Sequence, residues 1–385
     1  MATAIEILFA LLTVCGLGYL LLALWSARDF SHAWMGREGA TGFAPDVTIL
    51  KPVKGVDPRM YAGFVSHCRQ RYAGTFEIVF GVSDLEDAAV AEIARLQAEF
   101  PEVAVRMVVC PERLGMSGKL SNLVQMLRAA SYEYVVINDS DILVSAGYLT
   151  GVMRGFADAR VGMVTVPYIG GAGERPTVWA KLEALGIATD FMAGVLTARK
   201  MEGGVRFGLG STLATTKTML ARIGGLETLV DSLADDYEMG ARISALGMRV
   251  ELVYEVVETS VPAYRFKDFW DHQVRWGRTT RDSRKWGYAG VGITYALPWA
   301  VMTCVASGFA LWSFSLLSVV LLARVALALS VGVGLLRDQQ VLRDLWLLPM
   351  RDFFALLFWA WSFAGDTVIW RGEKFRLKDG KLERA

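Results

Sequence analysis

Four aspartates and one arginine–tryptophan pair are the residues whose types and spacing could do chemistry in this chain of 385 residues. In chain order they are Asp84, Asp139, Asp141, Asp236 and Arg275-Trp276, and all lie in one polar stretch between apolar segments. Carboxylates can hold a cation that neutralises a diphosphate, and an arginine can stabilise that diphosphate as it leaves. A further carboxylate can accept the proton of the group that displaces it. Beside a membrane, this set predicts transfer of a sugar from a nucleotide diphosphate to a lipid.

The first candidate site is the Asp139-Ser140-Asp141 triplet, which follows the apolar run YVVI. Two carboxylates two residues apart around a turn can converge on one hard cation through oxygen ligands. Mg²⁺ or Mn²⁺ bridged to both phosphates would neutralise a UDP leaving group. The alternative is an ordinary Asx-rich turn between a strand and a helix. Because a buried strand precedes the triplet and Asp84 lies upstream, we expect Asp139 and Asp141 to be metal ligands.

Residues upstream of the triplet are candidates for binding the nucleotide. Asp84 closes the strand-like segment EIVFGVSDLED, where its carboxylate could accept a hydrogen bond from a uracil N–H. It could instead cap the helix that begins near Asp87, although Asp87 is the better candidate for that role. Lys119 and Asn122 would share one side of a helix that begins after Gly118, where a lysine can meet nucleotide phosphate or ribose. A solvated lysine is the equal alternative.

The acidic pair Asp235-Asp236 opens a predicted helix. Acidic residues are favoured at a helix start by the dipole and by capping, which is the simpler account. The functional alternative is a general base that takes the proton from an acceptor hydroxyl. We assign that role to Asp236, with Asp235 as its rival.

The segment around Arg275-Trp276 predicts an amphipathic helix. Arg275, Arg278 and Arg281 recur at every third position, with aromatic residues between them. The planar fork of arginine suits a pyrophosphate, so we expect Arg275 to contact it and Trp276 to pack beneath the acceptor. A helix that lies in the headgroup region, anchored by Trp and Arg, is compatible with this. The bend that contains Gly210 and Ser211 could let backbone approach a ligand, but an ordinary turn is the simpler interpretation.

Between residues 45 and 287, short β-rich apolar runs alternate with helical stretches. This predicts an α/β domain with a mostly parallel sheet, whose ligands bind at the carboxyl ends of the strands. The predicted strands cover residues 47–53, 77–82, 103–110, 134–137, 161–167 and 250–257. The predicted helices cover residues 58–72, 87–100, 119–130, 146–157 and 237–246. The stretch 186–200 predicts either an interfacial helix or a core helix.

The apolar segments predict membrane helices on both sides of this domain. Residues 7–25 are long enough to cross a bilayer, a cleaved signal peptide being the alternative. Arg28, His32 and Arg37 follow them and place the polar domain in the cytoplasm. Residues 293–336 hold two spans with a turn near Trp312-Ser313, and residues 345–365 form a further block that charged residues interrupt.

The predicted domains are an anchor (1–27), a cytoplasmic catalytic domain (42–287), about three C-terminal membrane helices (290–366) and a basic tail (367–385). Four spans would place that basic tail outside, where basic residues are disfavoured. Either the last block is re-entrant or interfacial, or the tail breaks the rule.

Composition narrows the function class. A formal net charge of +1 gives no support for nucleic-acid binding, which needs a clustered basic face. Four scattered cysteines and three dispersed histidines make a disulfide framework or a zinc site an unfavourable interpretation.

Several motifs in order resemble the ceramide glucosyltransferase family, glycosyltransferase family 21, and the related bacterial enzymes associated with hopanoid glycosylation. They are LKPVKGVDP, VSDLEDA, GKLSNL, NDSDI, the GS of GLGST, LADDYEMG, VRW and WRGEKFRL. The resemblance implies a GT-A fold and inverting transfer from a UDP-sugar. Its pattern of three aspartates and RW corresponds to Asp84, Asp139, Asp236, Arg275 and Trp276, and Pro52 in the first motif joins the expected donor-binding set.

Two departures from the family pattern bear on the acceptor. His272, with Gln273 beside it, stands where the family has Gln or Arg, and Asp141 stands where the animal enzymes have Gly. Both differences favour a bacterial branch and a bacterial inner membrane. The expected reaction is transfer from UDP-glucose to ceramide, with transfer of N-acetylglucosamine to bacteriohopanetetrol as the alternative. A processive polysaccharide synthase would need more spans, and a silent nucleotide-binding membrane module is a remote rival.

Overall fold

The computed structural model of the protein describes residues 3–35, 42–370, 373–378 and 380–384. Within these ranges, seven strands form a central sheet in the order β3-β2-β1-β4-β7-β5-β8. All pairs are parallel except those that β7 makes with β4 and β5, and a small parallel pair, β6-β9, lies apart. The strands are β1 (Val47–Pro52), β2 (Phe76–Val82), β3 (Ala104–Val109), β4 (Tyr134–Ile137), β5 (Val161–Thr165), β6 (Tyr168–Gly171), β7 (Leu213–Thr216), β8 (Arg249–Leu252) and β9 (Val257–Ser260).

The helices follow the expected alternation with the strands. In chain order they are α1 (Ala4–Met35), α2 (Met60–Cys68), α3 (Ala89–Glu99), α4 (Gly118–Ala129), α5 (Tyr148–Arg154), α6 (Val178–Gly186), α7 (Met192–Met201), α8 (Lys217–Arg222), α9 (Asp235–Ala245), α10 (Phe266–Ser283), α11 (Lys285–Thr294), α12 (Ala296–Ala306), α13 (Leu311–Ala328), α14 (Gln340–Asp344) and α15 (Leu348–Ser362). A π-helical turn, Ile187–Phe191, joins α6 to α7, and another, Leu329–Leu335, continues α13.

The mostly parallel α/β sheet is confirmed, with two local corrections. The strand expected over residues 250–257 was wrong, because β8 and β9 belong to different sheets and a turn separates them. The central antiparallel strand β7 was missed, since its sequence LATT is short and rich in threonine. It is nevertheless buried for three of its four residues.

Two described helical segments are long and apolar enough to cross a membrane, Ala4–Trp34 and Leu311–Leu335, and a pair bent by 53°, α11 with α12, could supply a third. The N-terminal helix continues past the expected boundary at residue 27. Pro298 accounts for the bend, because its ring conflicts with the carbonyl of Thr294 four residues earlier. The turn expected near Trp312-Ser313 is instead at Gly308 and Phe309, which both adopt positive φ.

The charges inside the C-terminal apolar blocks are paired with one another. Arg324 of α13 donates to both carboxylate oxygens of Asp352 in α15, at 2.8 and 3.0 Å, and contacts Asp190 of the π-helical turn at 2.5 Å. Arg351 lies 3.0 Å from the other oxygen of Asp190. Charges in apolar surroundings are costly unless paired, so this cluster ties α13, α15 and the α6–α7 helix together.

The C-terminal residues form a small antiparallel sheet rather than a loose basic tail. Its strands are β10 (Thr367–Trp370), β11 (Glu373–Lys378) and β12 (Lys381–Arg384). Phe375, Leu377 and Leu382 are buried, whereas the basic residues alternate with them on the exposed face. The sheet packs on Met116 and Leu233 of the α/β domain, so the two lie on the same side of any membrane. Arg37, which follows the N-terminal helix, and Arg371 of the basic tail lie outside the described residues.

The cluster around Arg324 generates a stability prediction. Arg324→Leu leaves the buried Asp352 carboxylate without its main partner, and we expect a loss of about 3–5 kcal/mol in unfolding free energy. The double variant Arg324→Leu/Asp352→Leu should recover more than half of the lost unfolding free energy. It leaves no unpaired carboxylate at position 352, and Asp190 still pairs with Arg351. Thermal unfolding of the purified proteins in one detergent measures both. A double variant that is no more stable than the single one would contradict the pairing.

Candidate functional site

The candidate site lies at the carboxyl edge of the central sheet. Strands β2, β1 and β4 are neighbours and run parallel, so their carboxyl ends meet at one edge. Pro52 ends β1, Asp84 follows β2, and Asp139 follows β4. The fold therefore brings together three of the residues that the sequence singled out, although they span nearly ninety positions of the chain.

Asp84 is exposed at this edge. Its Oδ1 accepts a hydrogen bond from the backbone N–H of Glu86 at 3.0 Å. Asp87 is the residue that serves the start of α3, because its carboxylate accepts from the backbone N–H of Ala89 at 2.9 Å. The capping alternative for Asp84 is thus wrong. Its contact with uracil stays a prediction.

Lys119 links three of the chain's segments at the site. Its Nζ lies 2.9 Å from Oδ1 of Asp139 and 3.4 Å from Oδ2 of Asp235. The side-chain hydroxyl of Ser117 accepts from the backbone N–H of Leu120 and begins α4 at Gly118, which sets the position of the lysine. The expected helix start after Gly118 is confirmed. A solvated lysine is excluded, because the side chain of Lys119 is only 17% exposed.

Asp236 faces Asp139 across Gly210. A Cβ added at Gly210 would lie 3.1 Å from Oδ2 of Asp236 and 4.0 Å from Oδ2 of Asp139. The other oxygen of Asp236 accepts from the backbone N–H of Tyr237 at 2.8 Å, as expected at the first turn of α9. The absence of a side chain at Gly210 thus leaves room between the two carboxylates.

The electrostatics of the cluster set its protonation. Burial raises the pKa of Asp236 to about 6, the neighbouring Asp235 adds to that rise, and Lys119 opposes it. Burial alone would lower the pKa of Lys119, but the carboxylates of Asp139 and Asp235 outweigh it and raise that pKa. Near neutral pH, the site therefore holds a charged lysine beside a carboxylate whose pKa suits a general base.

The two carboxylates of the DxD triplet have different surroundings. Asp141 accepts hydrogen bonds through Oδ2 from the Thr259 hydroxyl at 2.7 Å and the Ser260 backbone N–H at 2.8 Å. Burial raises the pKa of Asp141, and Asp139 adds to the rise. The side chain of Asp139 is 40% exposed and points to Lys119. Asp139 is accordingly the more accessible oxygen donor.

A buried lysine beneath the triplet was missed by the sequence reasoning. Lys51 in β1 is fully buried, and its Nζ donates to the carbonyl oxygen of Asp139 at 3.0 Å. Burial lowers the pKa of Lys51 to about 7, while Asp141 and Asp139 oppose the drop. A lysine inside the apolar strand VTILKP was the available signal.

The carboxylates of the triplet fit a hard cation in part. Among the described residues, no group of three His, Cys, Asp or Glu side chains is arranged to hold a metal ion. Asp139 and one oxygen of Asp141 supply carboxylate donors, the ligand type that Mg²⁺ and Mn²⁺ prefer. A cation held there would need its remaining ligands from water or from donor phosphates, as Mg²⁺ usually does.

The glycine-rich bend is tied to both sides of the cluster. The amide of Asn138 donates to the carbonyl oxygen of Ser211 at 2.8 Å and to the Thr212 hydroxyl at 3.0 Å. On the other side, the backbone N–H of Gly208 donates to the carbonyl oxygen of Asp236 at 3.1 Å. The hydroxyl oxygen of Ser211 is buried without a hydrogen-bond partner. The bend is therefore a fixed wall of the site rather than an ordinary surface turn.

Asn122 has a supporting position. It is buried, its Oδ1 accepts from the Ser83 hydroxyl at 3.0 Å, and its Nδ2 donates to the carbonyl oxygen of Gly81 at 3.4 Å. It therefore braces the end of β2 next to Asp84. Direct contact of Asn122 with a donor stays a prediction.

Helix α10 carries the Arg275-Trp276 pair, and hydrogen bonds from one side of this helix fix its position. His272 Nδ1 lies 3.0 Å from Oε2 of the buried Glu183, and Gln273 donates to the same oxygen at 3.4 Å. Gln273 also accepts from Arg351 at 3.1 Å. His272, where this chain departs from the family pattern, and its neighbour Gln273 thus fix α10 against α6 and α15.

Aromatic rings connect α10 to the acidic cluster. The ring of Trp276 lies 4.8 Å from His272 and 6.3 Å from Phe191, and Phe191 lies 5.3 Å from Tyr168. Burial raises the pKa of the Tyr168 phenol, and Asp236 is the next cause, which places this ring beside the carboxylates. Tyr168 and Glu183 were missed because each comes from an element that looks like ordinary core, whereas Phe191 lies in the stretch 186–200, expected to be an interfacial or a core helix.

Arg275 is half-buried on the same helix. Burial and Glu183 raise the pKa of the Tyr264 phenol, while the charge of Arg275 opposes that rise, so the guanidinium lies near Tyr264. Arg278 and Arg281 point elsewhere, since they donate to backbone carbonyl oxygens of Thr367 and Ser362. Arg275, Arg278 and Arg281 therefore do not form one phosphate-binding face.

Curated proteins similar in sequence to this chain are ceramide glucosyltransferases. Ceramide glucosyltransferase 1 of Caenorhabditis elegans is 26% identical over 210 residues, which cover 54% of this chain and 44% of that protein. Ceramide glucosyltransferase of Komagataella phaffii is 32% identical over 108 residues, 27% of this chain and 21% of that protein. The chain thus spans about half or less of the length of these curated relatives.

A solved structure shares the fold. The mannosyltransferase from Pyrobaculum calidifontis, in complex with GDP-Man and Mn²⁺, is 20% identical, with a TM-score of 0.51 over 94% of this chain and 98% of that one. Its likeness shows the GT-A glycosyltransferase fold expected from the motifs. The family model described as Glycosyl transferase family 21 matches residues 8–383, nearly the whole sequence. The chain therefore belongs to glycosyltransferase family 21.

Proposed function

We propose that the protein transfers a hexose from a UDP-sugar to a membrane lipid hydroxyl with inversion at the anomeric carbon. The observation that carries this is the half-buried Asp236 carboxylate, which faces Asp139 across Gly210 and whose surroundings raise its pKa to about 6. A base with a pKa near the working pH suits proton removal from an alcohol. Membership of glycosyltransferase family 21 supports the reaction class.

The donor occupies the carboxyl edge of the sheet. Asp84, exposed at the end of β2, accepts from the uracil ring, while Pro52 and the turn held by Asn122 line the uridine. Lys119 reaches from α4 toward the diphosphate, and its partner Asp139 binds the donor and the cation together with Asp141. When bound, Mg²⁺ or Mn²⁺ neutralises charge that develops on the diphosphate.

The acceptor is activated by Asp236. The acceptor oxygen attacks the anomeric carbon, its proton passes to the Asp236 carboxylate, and the bond between the anomeric carbon and the UDP oxygen breaks. Arg275 stabilises the departing diphosphate from α10. Because inversion needs no covalent enzyme intermediate, the site requires no separate nucleophile. The rings of Trp276 and Phe191 pack against the acceptor beside this carboxylate.

The membrane arrangement follows from the side on which the C-terminal sheet packs. The sheet contacts the α/β domain, so the chain between them crosses the membrane an even number of times. The bent pair α11–α12 and α13 supply two crossings, and α15, which carries the paired Arg351 and Asp352, lies at the interface. With α1 as the anchor, the α/β domain faces the cytoplasm of a bacterial inner membrane, where nucleotide sugars are made.

Glucose transfer to ceramide is the reaction we favour, because the curated relatives are ceramide glucosyltransferases. The alternative acceptor is a hopanoid alcohol, which also presents a hydroxyl beside an apolar body. The observation that favours this alternative is His272, which stands where the family has Gln or Arg and lies 3.0 Å from Glu183.

A substrate panel tests the proposal directly. Purified enzyme with Mg²⁺ or Mn²⁺ is incubated with UDP-glucose, UDP-N-acetylglucosamine and other UDP-hexoses against ceramide and bacteriohopanetetrol, and products are read by mass. We expect one glycolipid whose formation stops when EDTA removes the cation. Tight UDP binding without transfer to any lipid would favour a silent nucleotide-binding module instead.

Substitution of Asp236 separates the proposed base from its neighbour Asp235. Asp236→Asn should lower kcat at least about 100-fold, since an amide cannot accept the proton, with UDP affinity nearly unchanged. In the wild type, kcat/KM for the acceptor should rise with pH up to about 6 and then level off, because the base works only when deprotonated.

The matched control is Asp235→Asn, which removes a carboxylate of the same helix turn that contacts Lys119. It should retain most of the activity and the rising pH profile. Full activity in Asp236→Asn, or a larger loss in Asp235→Asn, would transfer the assignment to Asp235.

A further inference from the structure

The C-terminal sheet, strands β10–β12, contacts each of the three segments that carry the proposed polar machinery. These segments are the start of α4 with Lys119, the loop before Asp235-Asp236, and α10 with Arg275. No described residue of the sheet belongs to the site described above. Its contacts nevertheless converge on the positions whose relative placement the proposed reaction needs.

The first contact is with the loop that leads into α9. The backbone N–H of Leu382 donates to the carbonyl oxygen of Asp231 at 2.8 Å, and Lys381 forms a β-bridge with Ser232. Leu233 packs on the buried core of the C-terminal sheet. The loop thus pairs with β12 through a single β-bridge, and Leu233 lies two residues before Asp235.

The same loop holds the start of α4. The carboxylate of Asp231 accepts from the backbone N–H of Met116 at 2.9 Å, and the carbonyl oxygen of Val230 accepts from Ser117 at 2.8 Å. Met116 also packs on the core of the C-terminal sheet. Since Ser117 caps α4, these contacts set the separation between Lys119 and Asp235.

The third contact is with α10, one and two turns after Arg275. Arg278 donates to the carbonyl oxygen of Thr367, Arg281 lies 2.5 Å from the Asp366 carboxylate, and Asp282 accepts from the backbone N–H of Gly380. The arginines that repeat with Arg275 in the sequence therefore serve the C-terminal sheet. The sheet links α10 to the loop that begins α9.

The C-terminal sheet is too small to be an independent domain. Its described core consists of Val368, Phe375, Leu377 and Leu382, and a unit of this size does not bury enough apolar surface to fold alone. The sheet is therefore ordered only when it packs on the α/β domain, and this packing in turn orders the segments that it contacts. Reactive groups must be held within about 0.5 Å of a productive geometry, so a segment that fixes them affects rate before it affects binding.

We propose that the C-terminal sheet is a positioning element for proton transfer. It fixes three segments relative to one another: the loop at residues 230–234, the start of α4, and helix α10. This inference rests on the proposed function, because it assigns the sheet to the placement of Asp236 and Lys119. Leu382 is its central positioning residue: its side chain fills the sheet's core and its backbone bonds to the loop. The sheet acts through these contacts and touches no substrate.

The test compares Leu382→Asp with Arg376→Asp in the full-length enzyme. Leu382→Asp places a charge in the core of the sheet and should undock it. Arg376→Asp makes a comparable change on the exposed face of the same sheet and should behave as wild type. We expect kcat to fall at least tenfold in Leu382→Asp, with a smaller loss of UDP affinity because Lys119 is less firmly placed. Leu382→Met should restore kcat, and Leu382→Ala should lie between.

Hydrogen exchange supplies a readout that does not depend on turnover. In Leu382→Asp, the amides of residues 116–121 and 231–238 should lose protection, while those of β1 and β4 keep it. Unchanged exchange in these segments, an unchanged kcat, or a parallel loss of kcat, UDP affinity and β1 protection would each overturn the inference. If the wild type transfers no sugar, the proposed function fails, and the exchange result still decides whether the sheet orders these segments.

Discussion

The structure depends on bringing several carboxylates into one poorly hydrated place without their repulsion forcing them apart. Asp139, Asp235 and Asp236 come from two segments nearly a hundred residues apart, and Lys119 lies against two of them. In partly buried surroundings such repulsion costs several kcal/mol, so the compensating charge is a condition of the arrangement. Burial and the repulsion that Lys119 does not compensate raise the pKa of Asp236, and the proposed reaction uses this raised pKa.

The rest of the molecule serves to hold that cluster against the membrane helices. Lys51 supports the triplet from beneath through the carbonyl oxygen of Asp139. Glu183 and Gln273 connect α10 to the α6–α7 helix and to Arg351, which in turn contacts Asp190. A continuous set of polar contacts therefore runs from the charged cluster at Arg324 to the helix that carries Arg275. The packing of the apolar helices and the geometry of the site are consequently not independent.

Local patterns predicted the parts of this structure that local forces decide. Buried strands, the helix start after Gly118 and the role of Asp87 follow from apolar runs and capping, and ordered motifs identified the family. Contacts between segments far apart in the chain could not be predicted from local sequence patterns. Lys51 has no partner within its own strand, Asp141 is held by residues 259–260, and Arg278 and Arg281 bind a sheet almost ninety residues later. The turn at Gly308 and Phe309 was misplaced because apolar character continues through it.

In the proposed mechanism, the carboxylates of the DxD triplet hold a divalent cation together with the donor diphosphate. Electron paramagnetic resonance of Mn²⁺ in the presence of saturating UDP tests it most directly, with wild type, Asp139→Asn and the capping-site variant Asp87→Asn compared. We expect one tightly bound Mn²⁺ per chain in the wild type and in Asp87→Asn, and binding at least tenfold weaker in Asp139→Asn. Equal Mn²⁺ affinity in Asp139→Asn and the wild type would contradict it.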